Sequence, residues 1–225
     1  MTRTVWGLGT PRTFRPLWAL AELGLEYEHR RILARGPGME DEHFRRLSKR
    51  HKIPFYEDDR VKIGESAAIV IYLADRYGGD ILPMPAPGTA ERAILQDRSL
   101  FIMTEIDARI YTVRLHHAPP QGLSELYGAA PAAVEAAKTY VENSLNEAAR
   151  WLQDGRLYVL GEHFGTPDIL LASCLVWAKL CGISVPKQLV EYLQRVASRP
   201  AFAVAMTCND PSNAKPTIKA REEDA

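Results

Sequence analysis

The sequence predicts a small α/β domain followed by an all-helical domain. Residues 2–81 alternate strand-like and helix-like patterns in the order strand, helix, strand, helix, strand, strand, helix. LPMPAPG at 82–88 then places three prolines in seven residues, the composition of a stiff linker. Beyond it every apolar pattern recurs at helical spacing, so the expected units are 1–81, a linker over 82–88, and 89–225. A chain of 225 residues is long enough to bury a sizeable core, and its length lies between the expectations for one domain and two.

TRTVWGL (2–8) reads as the first strand, and Gly9-Thr10-Pro11 breaks it. In RTFRPLWALAELG, Phe14, Leu17, Trp18 and Ala21 recur on one helical face until Gly24. Pro16 fits best in a first turn, where backbone N–H groups lack intrahelical partners, which sets the expected helix start at Arg12 to Thr13. LEYEHRRIL reads as a second strand, and MEDEHFRRLSKR, acidic at its start and basic at its end, as a helix that suits the helix dipole. IPFYE and RVKI flank the turn Asp58-Asp59, and ESAAIVIYLADRY is a helix ending at Gly78-Gly79. Four helical stretches follow, over 89–117, 131–155, 167–182 and 186–205; three open with proline and two close with glycine. The polar tail from Cys208 reads as irregular, with a frayed end.

Lys plus Arg number 28 and Asp plus Glu number 28, so no whole-chain field pulls the protein toward nucleic acid or an anionic membrane, and a small-molecule partner is favoured. No apolar run reaches the roughly 18 residues of a membrane span, and MTRTVWGLGT lacks a secretory signal's apolar stretch; the expectation is a cytoplasmic protein. Cys174, Cys181 and Cys208 form no CxxC; the first two, seven apart on one helix, read as buried small hydrophobes. No HExxH is present, and His116 and His117 diverge by about 100° on a helix, so no metal site is expected.

GLGTPR (7–12) lacks the third glycine of a dinucleotide fingerprint. It reads instead as a strand-to-helix turn with two hydroxyls, Thr13 as the N-cap and Thr10 in the turn, at the positive end of a helix dipole. Ile53-Pro54 marks either an edge strand or a cis peptide facing a cleft. Glu65-Ser66 starts a helix, Ser66 offering its hydroxyl to free N–H groups; the same groups would also receive a ligand carboxylate.

Together these segments resemble the cytosolic glutathione S-transferase family, in its bacterial-type form with a hydroxyl-bearing first turn. KIPFYEDDRVKIGESAAIVIYLADRY is similar to the family's K-V-P-x-L-x-D-…-L-x-E-S-x-A-I-x-x-Y-L motif, GTPRTFRPLWALAELGLEYE to its first helix, and YLQRVASRPAFAVA to its last. The resemblance implies a thioredoxin-like N-terminal domain and an all-α C-terminal domain, the glutathione S-transferase fold, with glutathione as co-substrate. It further implies that Pro54 is the cis-proline, that the Ile53 backbone pairs with the cysteinyl part of glutathione like an added strand, and that Glu65 and Ser66 hold the γ-glutamyl end. Lys52 would attract the glycyl carboxylate. Ser48 and His51 stand where the family usually has asparagine and glycine, and Gly165 where it has Ser or Thr in a cap whose acid is Asp168, read here as structural. Thr10 takes the position of the activating hydroxyl, with Thr13 as the alternative. Phe14, Tyr111, Arg114 and His117 would line the pocket for a hydrophobic electrophile, while Met103 and Leu115 read as core. A homodimer is implied, with Glu105 or Asp107 reaching the neighbouring site.

A hydroxyl suffices for such chemistry. A free thiol ionises near pH 8.5, and lowering that by about two units takes about 2.7 kcal/mol of preferential thiolate stabilisation. One hydrogen bond to a charged acceptor supplies about 1.5–3 kcal/mol, and a helix N-terminus about 0.3–1 more. The implied activity is attack of the thiolate on an electrophilic small molecule. The alternatives are glutathione-dependent disulfide reduction and non-catalytic binding of glutathione or another ligand.

Overall fold

A computed structural model describes residues 2–120 and 122–213. The chain begins with strand β1 (Thr4–Leu8), helix α1 (Pro11–Glu22) and strand β2 (Glu28–Leu33). The acidic-to-basic segment is split into a 3-10 turn (Pro37–Glu40) and the short α2 (Glu42–Leu47), capped by Asp41 accepting from the Phe44 N–H. Strands β3 (Phe55–Glu57) and β4 (Lys62–Ile63) and helix α3 (Ser66–Tyr77) follow. The four strands run in the order β2-β1-β3-β4, with β1 parallel to β2 and antiparallel to β3, which is antiparallel to β4.

Every residue of β1 is buried because both faces of the sheet are covered. Its alternation sends Val5 into the core shared with α1 and α3, and Trp6 to the opposite face with Met39, Phe44 and Phe55. Charged and largely exposed, β2 forms one edge of the sheet. Gly7, at φ +124°, is required where β1 leaves the sheet: a Cβ there would lie 2.5 Å from Thr13 Cγ2 and 2.9 Å from Ile53 Cβ. That close approach brings together the turn before α1 and the loop before β3.

The rest is helical: α4 (Ala90–Phe101), a π-helical segment (Ile102–Asp107), α5 (Ala108–His116), α6 (Ser124–Tyr127), α7 (Pro131–Arg150), α8 (Thr166–Leu180), α9 (Lys187–Ala197) and α10 (Pro200–Cys208). The stretch expected as one helix over 186–205 is thus two, since Pro200 cannot donate to a preceding turn and instead opens α10. The short α6 lies in a segment where no helix was expected. Of the tail, Pro211–Asn213 forms a 3-10 turn, and 214–225 lie outside the described residues.

α1 is wedged between the sheet and the helical part. Phe14 and Trp18 meet Phe202 of α10 edge-on at 5.2 and 5.0 Å between ring centres, so one hydrophobic core runs through both parts. The helix also starts earlier than expected, at Pro11 with Thr10 as N-cap. Pro16 therefore sits beyond the first turn, at a position whose N–H would otherwise pair with the Arg12 carbonyl. Met103 is half-buried against the core, as periodicity suggested.

Candidate functional site

The turn between β1 and α1 is held by reciprocal hydrogen bonds. The Thr13 N–H donates to Thr10 Oγ1 and the Thr10 N–H to Thr13 Oγ1, both at 3.0 Å, a capping box with Thr13 at its third helical position. Thr10, not Thr13, is the N-cap. Asn209, after the end of α10, locks this turn from across the chain. Its Oδ1 accepts from the Gly9 N–H (2.9 Å) and from Thr13 Oγ1 (2.7 Å), and its Nδ2 donates to the Thr10 carbonyl (3.0 Å).

Proton counting separates the two threonines. Thr13 is fully buried, and its single hydroxyl proton goes to Asn209, the Thr10 carbonyl or Thr10 Oγ1, all within the fold, while its oxygen accepts from the Thr10 N–H. Thr10 Oγ1 accepts from the Thr13 N–H, lies 2.9 Å from Thr13 Oγ1, and borders a cavity of about 940 Å³. Its proton can point either to Thr13 or into that cavity.

A second cavity of about 840 Å³ adjoins the first, sharing Arg12, Lys52, Ile53 and Tyr111 with it. Lys52, Ile53, Pro54, Glu65 and Ser66 all line it, and the Ile53–Pro54 bond is cis. The loop before it is closed by Ser48, whose Oγ accepts from the Lys52 N–H (3.2 Å) and donates to the Lys52 carbonyl (3.1 Å). His51 adopts φ +48°, the left-handed region that glycine enters freely.

Glu65 precedes α3 at φ +60° and provides no side-chain cap. Its carboxylate is paired with Arg50 at 2.7 Å, both side chains being largely exposed, so Arg50 joins the set of cavity residues that sequence reasoning missed. Ser66 does not cap the helix either. Its Oγ accepts from Arg15 Nη1 at 3.0 Å, which leaves its own proton to donate at the mouth of an N-terminus without a side-chain cap.

Behind Ser66 lies a charge cluster that also escaped the sequence. Arg15 is wholly buried, and its guanidinium donates to Asp107 (2.6 Å), Ser173 (2.6 Å), Ser66 and Cys174 Sγ (3.1 Å). Asp107 also receives Arg12, whose guanidinium lies over the Tyr111 ring at 4.3 Å from its centre. Burial alone would push the Asp107 carboxyl up, but the Arg15 charge and the bonds from Arg12 hold it below the usual carboxylate range. Asp107 is buried and bound within its own chain, correcting the expectation that it reaches a neighbouring site; Glu105, half-buried, accepts from Tyr140 and Thr104. Burial pushes the Cys174 thiol up to about 12, so it keeps its proton.

Of the four residues expected around a second pocket, Tyr111 and Arg114 line the larger cavity. Phe14 is not among its lining residues: it is buried between Trp18 and Phe202, because α1 turns that face toward α10. Nor is His117, whose Nδ1 bonds the Ala118 carbonyl at the end of α5. Cys181, expected to be core, is buried yet borders the cavity. Asp168 is fully buried and accepts from the Val159 and Gly165 N–H groups (both 2.9 Å) and the Tyr192 hydroxyl (2.7 Å). Thr166 does not replace the missing cap side chain; its hydroxyl faces Met84 Sδ. Among the described residues no cluster of potential metal ligands occurs, and no helix is long and apolar enough to cross a membrane.

Residues 9–80 match the family model described as the glutathione S-transferase N-terminal domain. The fold is similar to that of a sphingomonad glutathione S-transferase complexed with glutathione (25% identity, TM-score 0.75, covering 92% of this chain and 98% of that one). It is also similar to a glutathione transferase homologue from Lodderomyces elongisporus with two GSH per subunit (16% identity, TM-score 0.82, 93% and 100% covered). A third, from Pseudomonas putida, has one glutathione disulfide bound per subunit (22% identity, TM-score 0.76, 91% and 90% covered).

Proposed function

We propose that this chain, whose residues 9–80 match the glutathione S-transferase N-terminal domain, binds glutathione in the smaller cavity and uses Thr10 to activate the thiol for attack on an electrophile in the larger one. In this reading residues 1–81 form the glutathione-binding domain, 82–88 the linker and 89–225 the helical domain of a cytoplasmic homodimer. Ser66 and the first N–H groups of α3 take the γ-glutamyl carboxylate, Glu65 its ammonium, the Ile53 backbone beside Pro54 the cysteinyl peptide, and Lys52 the glycyl carboxylate.

The observation that carries the reading is the proton count at the first turn. Thr13 has its proton committed inside the fold, whereas Thr10 can redirect its own toward the cavity. Exchanging a neutral hydrogen bond, worth about 0.5–1.5 kcal/mol, for one to a thiolate, about 1.5–3 kcal/mol, favours the ionised thiol. The thiolate sulfur then bonds to the electrophilic carbon, the leaving group departs with its electron pair, and the thiol proton passes to solvent.

Ultraviolet thiolate absorbance of bound glutathione against pH tests this. A thiol ionising well below about 8.5 in the unmodified protein, and near that value in Thr10→Val, supports activation by Thr10; an unshifted thiol in both reduces the protein to a binder. Calorimetry with no glutathione binding at millimolar concentration overturns the reading, as does an affinity unchanged by Ser66→Ala. A disulfide-exchange assay separates conjugation from disulfide reduction.

A further inference from the structure

The larger cavity is expected from sequence to hold a hydrophobic electrophile, but its walls are strongly cationic. Arg12, Arg35, Lys52 and Arg114 line it against a single carboxylate, Glu40, which is itself paired with Arg45 at 3.4 Å. The chain as a whole has as many acidic as basic residues, so this excess is local and not inherited from composition. Asp107 offsets Arg12. Lys52 is assigned to glutathione in the reading above, and Arg35 and Arg114 border the rest of the space.

Arg35 is presented by a flat partner. Arg35, in the loop after β2, lies over the Tyr127 ring of α6 at 5.4 Å and donates to its hydroxyl at 3.1 and 3.3 Å. Among the described residues no carboxylate pairs with it. Arg114 stands three residues after Tyr111, on the same face of α5, and donates to the Pro120 carbonyl at 3.3 Å. The ring of Tyr111 carries the Arg12 guanidinium at 4.3 Å. The cavity wall thus carries the rings of Tyr111 and Tyr127 and the guanidinium planes of Arg12 and Arg35, surfaces that stack on a flat ring, and fork-shaped donors that match a carboxylate.

We infer that the second substrate is an aromatic electrophile carrying a carboxylate. The inference rests on the glutathione reading and sharpens it. With an aryl chloride the thiolate sulfur bonds to the ring carbon, the carbon–chlorine bond breaks with chloride taking the electron pair, and the thiol proton goes to solvent. Arg35 and Arg114 hold the carboxylate, which does not react.

A matched pair tests it: 4-chloro-3-nitrobenzoate and 4-chloro-3-nitrobenzamide, with the two S-aryl glutathione products for calorimetry and glutathione alone as the control. The expected result is that the carboxylate product binds about tenfold more tightly than the carboxamide, the equivalent of one charge-assisted hydrogen bond over a neutral one. The ratio of kcat/KM values should favour the benzoate to a similar degree and shrink as salt is added. Arg35→Gln and Arg114→Gln should each lower that ratio severalfold. Should either variant fail to fold, the salt dependence in the unmodified protein still decides. Equal affinities for the two products, with glutathione binding intact, overturn the substrate class alone, and a salt-independent ratio does the same. Failure of glutathione itself to bind overturns the parent reading.

Discussion

Asp107 closes the π-helical segment against two guanidinium groups, whereas Asp168 opens α8 among two backbone N–H groups and one phenol. Both carboxylates are sealed from water, at 1% and 0% exposure. Their protons respond in opposite directions. At Asp107 the charge of Arg15, reinforced by Arg12, outweighs burial and keeps the group ionised. At Asp168 burial outweighs the bonds from Val159, Tyr192 and Gly165, and the carboxyl is pushed up to about 6. Formal countercharge, more than burial or the number of hydrogen bonds, separates the two. The difference also sorts them by place: one ties the first turn and α3 to the helical part beside the cavities, the other braces the helical core.

The largest effect expected from breaking this contrast is at Asp107. Replacing it with leucine leaves Arg15 buried without a countercharge, which should cost about 3–5 kcal/mol in urea unfolding. The double variant Arg15→Met, Asp107→Leu should recover most of that loss, because it removes both charges together. If the double variant is no more stable than the single, the pair contributes something beyond mutual neutralisation.

Asp168→Asn should cost less, about 1–3 kcal/mol, since the amide oxygen still accepts from the Val159 N–H and the Tyr192 hydroxyl while its NH2 leaves the Gly165 N–H without an acceptor. The two acids also give opposite pH signatures. The folded protein holds a proton on Asp168 more tightly than the unfolded chain, so this group's stabilisation is present below its ordinary 3.8 and is lost as pH rises through about 6. Asp107 is depressed, so its contribution is present above the ordinary carboxylate range and is lost as pH falls below it. Unfolding free energies of Asp168→Asn and the unmodified protein, compared between pH 4 and 7, should therefore converge with rising pH; parallel curves would contradict the assignment.

The smallest expected stability effect is at Asn209. Asn209→Ala removes three hydrogen bonds at a partly buried turn and, with water replacing part of them, should cost about 1–2 kcal/mol, a small shift in thermal midpoint. Its larger consequence is for the thiol. With Thr13 freed from Asn209, the Thr10 hydroxyl loses its fixed partner geometry, and the ionisation of bound glutathione should move toward that of the free thiol. An unchanged thiolate titration in Asn209→Ala would show that the capping box alone positions Thr10.

Much of this architecture was legible in the chain. The order of strands and helices through residue 77 and the proline in the first turn of α8 follow from spacing, breakers and caps within a few residues of each other, and the structural part played by Asp168 from the resemblance of its segment to a family capping motif. Local rules also narrowed the first turn to Thr10 and Thr13 but assigned the cap to the wrong one, because Pro16 tolerates a place deeper in α1 than a first-turn rule allows. Phe14 was misplaced for a different reason: its helical face is apolar, and periodicity cannot say whether such a face meets a cavity or the aromatic ring of Phe202.

By itself the sequence determined most of the order of elements, which faces are apolar, and that two hydroxyls and a Glu-Ser pair sit at helix starts. Those features arise from steric limits and hydrogen bonds spanning one or two turns. Tertiary structure alone brought Asn209, 196 residues from Thr13, against the first turn and its hydroxyls. It alone paired Arg15 with Asp107, 92 residues away, and gathered cations from four segments around one cavity in a chain with no net charge. Such partners share no period and no local motif; only the packing of α1 between the sheet and the helices brings them within bonding distance.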